Sequence, residues 1–157
     1  MSIFDKTYKS TAVTYSPQNE QEAWLAIMHA CIAVDDDVAD AELEELAQIL
    51  ASKALFEGHD VRAYYKTILY AHAQIGSKRL IDNSVEKISP DNKANLFAVT
   101  IELLLADGLI AEKEEELITY VYSALELDTA VAKNIIQTFL AKIRENRDNN
   151  FLKDNPL

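Results

Sequence analysis

Apolar residues recur at three- and four-residue spacing along most of this chain, and short polar stretches interrupt them. That period predicts helices, with one face of each turned to a common core. After a polar, Thr/Ser-rich arm over 1–16, Ser16 and Pro17 read as a cap and a first helical residue. The helix that follows runs to about Val34, with Trp24, Ile27, Cys31 and Val34 on one face and Leu25, Met28 and Ile32 widening it. A second helix carries Leu43, Leu46, Ala47, Ile49 and Leu50 to about Leu55, and Gly58 ends it. Asp60 caps a third, striped by Val61, Tyr64, Tyr65, Ile68, Leu69, His72 and Ile75 and stopped by Gly76. A short helix with Leu80, Ile81, Val85 and Ile88 follows. Ser89-Pro90 then opens a nearly all-apolar helix to Ala106. Two more helices span about 112–126 and, capped by Asp128, about 129–144, before a polar tail over 146–157.

The apolar helices ending near Val34 and Ala106 each run into an acidic turn, and the two turns match. Val34-Asp35-Asp36-Asp37-Val38 leads to Glu42, and Ala106-Asp107-Gly108-Leu109-Ile110 leads to Glu114. Asp35 and Asp107 stand 72 residues apart, as do Glu42 and Glu114 (107 − 35 and 114 − 42). At the same offset Ile27 falls on Val99, Ile32 on Leu104 and Leu46 on Ile118. The reading is an all-α protein: one compact domain over 17–145, of about seven helices, built from a duplicated helix–acidic turn–helix unit. Repeat 1 covers about 20–76 and repeat 2 about 90–145.

Composition narrows the function. With 157 residues and 49% apolar content, one domain with a true core is expected. A net charge of −11 repels phosphate backbones, so no nucleic-acid partner is expected. It favours cations and protein partners with basic surfaces. The same charge argues against direct capture of an oxyanion. One cysteine, Cys31, suits a reducing compartment. The residues show no leader and no apolar run approaching the roughly 20 needed to cross a bilayer. A soluble, cytoplasmic protein is the expectation, with membrane contact only peripheral and through partners. Oligomeric state is not legible.

The acidic turns are the candidate chemistry. Carboxylates about 5 Å apart repel by roughly 3 kcal/mol at an effective dielectric near 20. A divalent cation relieves that repulsion and takes the oxygens as ligands. Asp35, Asp37, Glu42, Asp107 and Glu114 are the candidate metal ligands. Their all-oxygen character favours Ca²⁺ or Mg²⁺ and leaves Zn²⁺ open. The competing role is structural. With Ala39 and Ala111 as caps, Glu42 and Glu114 sit where a glutamate reaches back to the cap amide, and early acidic residues complement the helix dipole. The EF-hand pattern fails, because Ala39, Asp40 and Leu46 occupy loop positions 5, 6 and 12 counted from Asp35. No histidine has a glutamate three residues before it, so the di-iron bundle motif is absent. His29 and His72 read as satisfied, partly buried core histidines. No catalytic residues or cofactor-binding loop stand out, and an enzyme is not expected.

The doubled turn, Ala-Asp-Gly-x-Ile/Val followed by Glu after an apolar helix, resembles the TerB-like family of tellurite-resistance proteins. Repeat 2 carries the motif nearly whole; repeat 1 has Asp36 in place of glycine. The resemblance implies an all-helical, duplicated, cytoplasmic stress-response protein without catalytic turnover. It places metal binding on Asp35, Glu42, Asp107 and Glu114, with Asp37 added on its chemistry. A related domain in a membrane-anchored co-chaperone makes a metal-free protein-interaction module the alternative. A metal-dependent hydrolase comes third, since it needs an open coordination position and a cleft.

Overall fold

The computed structural model describes residues 15–33, 46–50, 52–105 and 112–154. These residues form helices joined by turns, and no strand occurs among them. In chain order the helices are α1 (Glu20–Ile32), the segment 46–50 (α2), α3 (Val61–Val85), α4 (Lys93–Leu104), α5 (Glu112–Ala124) and α6 (Thr129–Asp154). One-turn 3-10 helices at Ala54–Phe56 and Pro90–Asn92 link α2 to α3 and α3 to α4. Among the described residues no helix is long and apolar enough to cross a membrane.

Helix α1 is the centre of the molecule. Every residue from Glu22 to Cys31 is buried, with α3, α4 and α5 packed around it. The sequence explains this: between Ala23 and Ala33 only His29 is polar, so the helix has no face suited to water. Trp24 meets Phe56 edge to face at 6.0 Å, which seats the 3-10 turn against α1.

Helix α1 starts later than Ser16-Pro17 suggests. Its cap is Asn19, whose side chain accepts from the Glu22 amide at 2.8 Å. Buried Glu22 is held there by Tyr15 Oη at 2.6 Å and Gln18 Nε2 at 2.9 Å, so residues 15–18 wrap the helix start instead of extending it. Burial and the adjacent Glu22 carboxylate keep the Tyr15 phenol neutral well above its ordinary range.

The short fourth helix expected over 77–88 is the far half of α3. Gly76, at φ 81° and ψ 172°, breaks the helix between Ile75 and Ser77, and the chain resumes helical geometry to Val85. Only glycine takes that backbone geometry without strain. Asp60 caps α3 through the Ala63 amide, as its position before Val61 suggests. Leu69 lies outside the core, 43% exposed, because α1 covers the Tyr65–Ile68 side of α3.

Ser89 does not cap α4. Pro90–Asn92 form a 3-10 turn first, and the Ser89 hydroxyl and amide both donate to Glu20 of α1, at 2.9 and 3.1 Å. Asn92 adds a third bond to the same carboxylate at 2.8 Å. Burial works against ionisation of Glu20, and these donors outweigh it and lower its pKa. Helix α6 continues past Arg144 to Asp154, since no glycine or proline intervenes before Pro156.

Candidate functional site

Four of the five candidate ligands, Asp35, Asp37, Glu42 and Asp107, lie outside the described residues. The structure does fix where the chain leaves for each acidic segment. Helix α1 ends at Ile32 with Ala33 as its cap, and α4 ends at Leu104 with Leu105 as its cap. Both caps are buried, so each acidic segment departs from an end anchored in the core. The two ends stand 72 residues apart (104 − 32), the same offset as the acidic motifs.

Glu114, the fifth candidate, is half-buried in the first turn of α5. Its carboxylate is close enough to Cys31 to act on the thiol. Burial, then the Glu114 charge, push the thiol up to about 12. The charge of a glutamate that follows the second acidic segment therefore reaches the last turn of the helix that leads into the first. Glu112, Glu114 and Glu115 together occupy the first turn of α5, where negative charge also complements the helix dipole. Among the described residues no group of three or more His, Cys, Asp and Glu side chains is gathered for a metal.

A second cluster lies along the α1–α3 contact. His29 is 1% exposed, and among the described residues neither of its ring nitrogens has a hydrogen-bond partner. Its ring packs edge to face against His72 at 5.0 Å and Tyr65 at 5.6 Å. His72, half-buried, shares a 2.9 Å bond between Nε2 and the Ser77 hydroxyl across the Gly76 break. Burial, then the neighbouring His72, lower the His29 pKa to about 4, so it is neutral at pH 7. His72 is a satisfied core histidine, as its place on an apolar stripe suggests; His29 is not satisfied. Tyr65 Oη is buried and also without a partner among the described residues, and burial raises its pKa. The sequence signal for this cluster is weak. His29 is the sole polar residue in an apolar run, but its neighbours lie 36 and 43 residues away (65 − 29 and 72 − 29).

No curated protein and no solved structure matches the chain significantly. A family model does, that of tellurite resistance protein TerB, over residues 21–137. The match begins at the start of the central helix, takes in both acidic motifs and ends within α6. It covers most of the chain, and its all-helical character agrees with the observed fold. The protein belongs to the TerB family of tellurite-resistance proteins.

Proposed function

We propose that this chain is a non-catalytic stress-response protein of the tellurite-resistance type. It binds a divalent cation at its acidic segments and works through protein partners in the cytoplasm. The observation that supports this reading is that the Glu114 charge, in the helix after the second acidic segment, reaches Cys31 in the last turn of the helix before the first. In this reading Asp35, Asp37, Glu42, Asp107 and Glu114 are the cation's ligands. A cation there relieves the carboxylate repulsion and ties α2 and α5 to the fixed ends of α1 and α4. The equal 72-residue offset of motifs and helix ends supports an internal duplication, which gives this centre its two-fold character. Partners with basic surfaces fit the −11 charge.

A second reading is favoured by Glu112, Glu114 and Glu115 all lying in the first turn of α5. There the acidic residues only stabilise helix starts, and the protein is a metal-free interaction module. Calorimetric and thermal-melting titrations with Ca²⁺, Mg²⁺ and Zn²⁺ separate the two. The wild type should bind saturably and melt higher with one of these ions, and the Asp35→Asn/Asp107→Asn double variant should lose both effects. Absence of saturable binding in the wild type sinks the cation reading and leaves the interaction module.

A further inference from the structure

Three polar atoms are sealed into the α1–α3 contact without a structural use. His29 is 1% exposed and Tyr65 8% exposed. Among the described residues neither ring nitrogen of His29 nor the Tyr65 hydroxyl has a hydrogen-bond partner. An unpartnered buried polar group destabilises a fold relative to an apolar side chain of like size. Leucine and phenylalanine would fill the same space without that penalty, so packing gives no reason for an imidazole and a phenol here. A ligand that uses their lone pairs does.

His72 brings a second imidazole to the same place. Its ring centre lies 5.0 Å from that of His29, and the Tyr65 ring centre lies 5.6 Å from His29. Those separations suit edge-to-face packing, and they equally suit a shared ion. A metal about 2.1 Å from an imidazole nitrogen lies about 3 Å from the ring centre, so two imidazoles at a tetrahedral angle have centres about 5 Å apart. A phenolate on the same ion sets its ring centre about 6 Å from an imidazole. The Ser77 hydroxyl and His72 Nε2 share a bond of 2.9 Å, the kind of outer contact that fixes the ring of a metal-ligating histidine. His72 is half-buried and lines a cavity of about 490 Å³ beside the Gly76 break, which gives an ion a way in and a water ligand room. His29 is neutral at pH 7, the protonation state a metal requires.

We propose that His29, His72 and Tyr65 form a binding site for a divalent transition-metal ion of the Zn²⁺ kind. Two imidazole nitrogens and the phenolate oxygen are its protein ligands, and a water from the cavity is the fourth. The phenol gives its proton to solvent as the metal–oxygen bond forms. Imidazole donors select against Ca²⁺ and Mg²⁺, so this site differs from the acidic segments in its donors and in its ion.

The test uses Co²⁺, whose visible absorption is strong when four-coordinate and weak when six-coordinate. It is titrated into the full chain at pH 7.5 with Ca²⁺ and Mg²⁺ in excess. A strong, saturable band at one ion per chain is expected, bleached by Zn²⁺ and unchanged in the Asp35→Asn/Asp107→Asn variant. His29→Leu should abolish the band, and Tyr65→Phe should weaken Co²⁺ binding about tenfold or more. Both substitutions remove atoms that have no partner among the described residues, so helical circular dichroism should hold in each and separate lost binding from lost folding. A weak band only, a band lost in the Asp35→Asn/Asp107→Asn variant, or equal affinity in wild type and His29→Leu overturns the proposal.

Discussion

His29 offers the most exact test of the core. The unfolded chain protonates its histidines near 6.5, whereas in the fold His29 resists protonation until about pH 4. Between those values the unfolded state holds one proton more than the folded state at this residue. Stability therefore falls as pH drops through that window, and the contribution is fully present above about 6.5. The difference between 6.5 and about 4 is worth about 3 kcal/mol in full, and about 2 kcal/mol of it is lost by pH 5. Carboxylates also titrate near the low end, so the comparison needs a reference with the same carboxylates. His29→Leu provides one at similar volume. It removes two ring nitrogens that are buried without partners among the described residues, so at pH 7.5 it should be no less stable than wild type by more than about 1 kcal/mol. Urea unfolding followed by circular dichroism, at pH 7.5, 6.5 and 5, gives both curves. The wild type should lose about 2 kcal/mol more than His29→Leu between pH 7.5 and 5. Parallel losses in the two proteins would refute the assignment of a neutral, unpartnered imidazole. A large loss for His29→Leu at pH 7.5 would do the same, since it requires a hydrogen bond that the described residues lack.

Two further variants probe how the helices are joined. Glu20→Ala removes the acceptor for Ser89 and Asn92 and should cost about 2 kcal/mol in urea unfolding, since partly buried donors are left behind; a change under about half a kcal/mol would make the α1–α4 tie ornamental. Gly76→Ala has open space for its methyl but meets a backbone at φ 81°, so it should lower stability by about 1–3 kcal/mol in thermal melting with the helical circular dichroism retained. A neutral Gly76→Ala would mean that α3 runs straight in solution.

Much of the helical plan was legible because its signals act within a turn or two. Asp60 caps α3 and Asp128 accepts from the Ala130 amide at the start of α6, both where a short acidic side chain precedes an apolar period. Gly76 breaks α3 where a glycine closes a stripe. Local reading failed where a distant partner competed. Ser89 has the residue type and position of a cap, but Glu20 lies close by and accepts both its hydroxyl and its amide. Pro17 is suited to a first helical position, but Glu22 draws Tyr15 and Gln18 around the helix start and leaves Asn19 to cap. Of the candidate ligands, Glu114 alone lies within the described residues, and nothing local to it points to Cys31.

By itself the sequence determined that this protein is all-helical, that residues 23–32 form a helix with no face for water, and that its acidic segments recur at an offset of 72. Periodicity, caps and a positive-φ glycine are properties of a few consecutive residues, and a chain carries them whatever it packs against. The tertiary structure alone decided that the Glu114 charge reaches Cys31, that His29 is sealed without a partner among the described residues, and that Lys78 and Arg79 come to share a cavity with Lys113. Those meetings join residues at least 34 positions apart, and they are set by how α3, α4 and α5 close around α1.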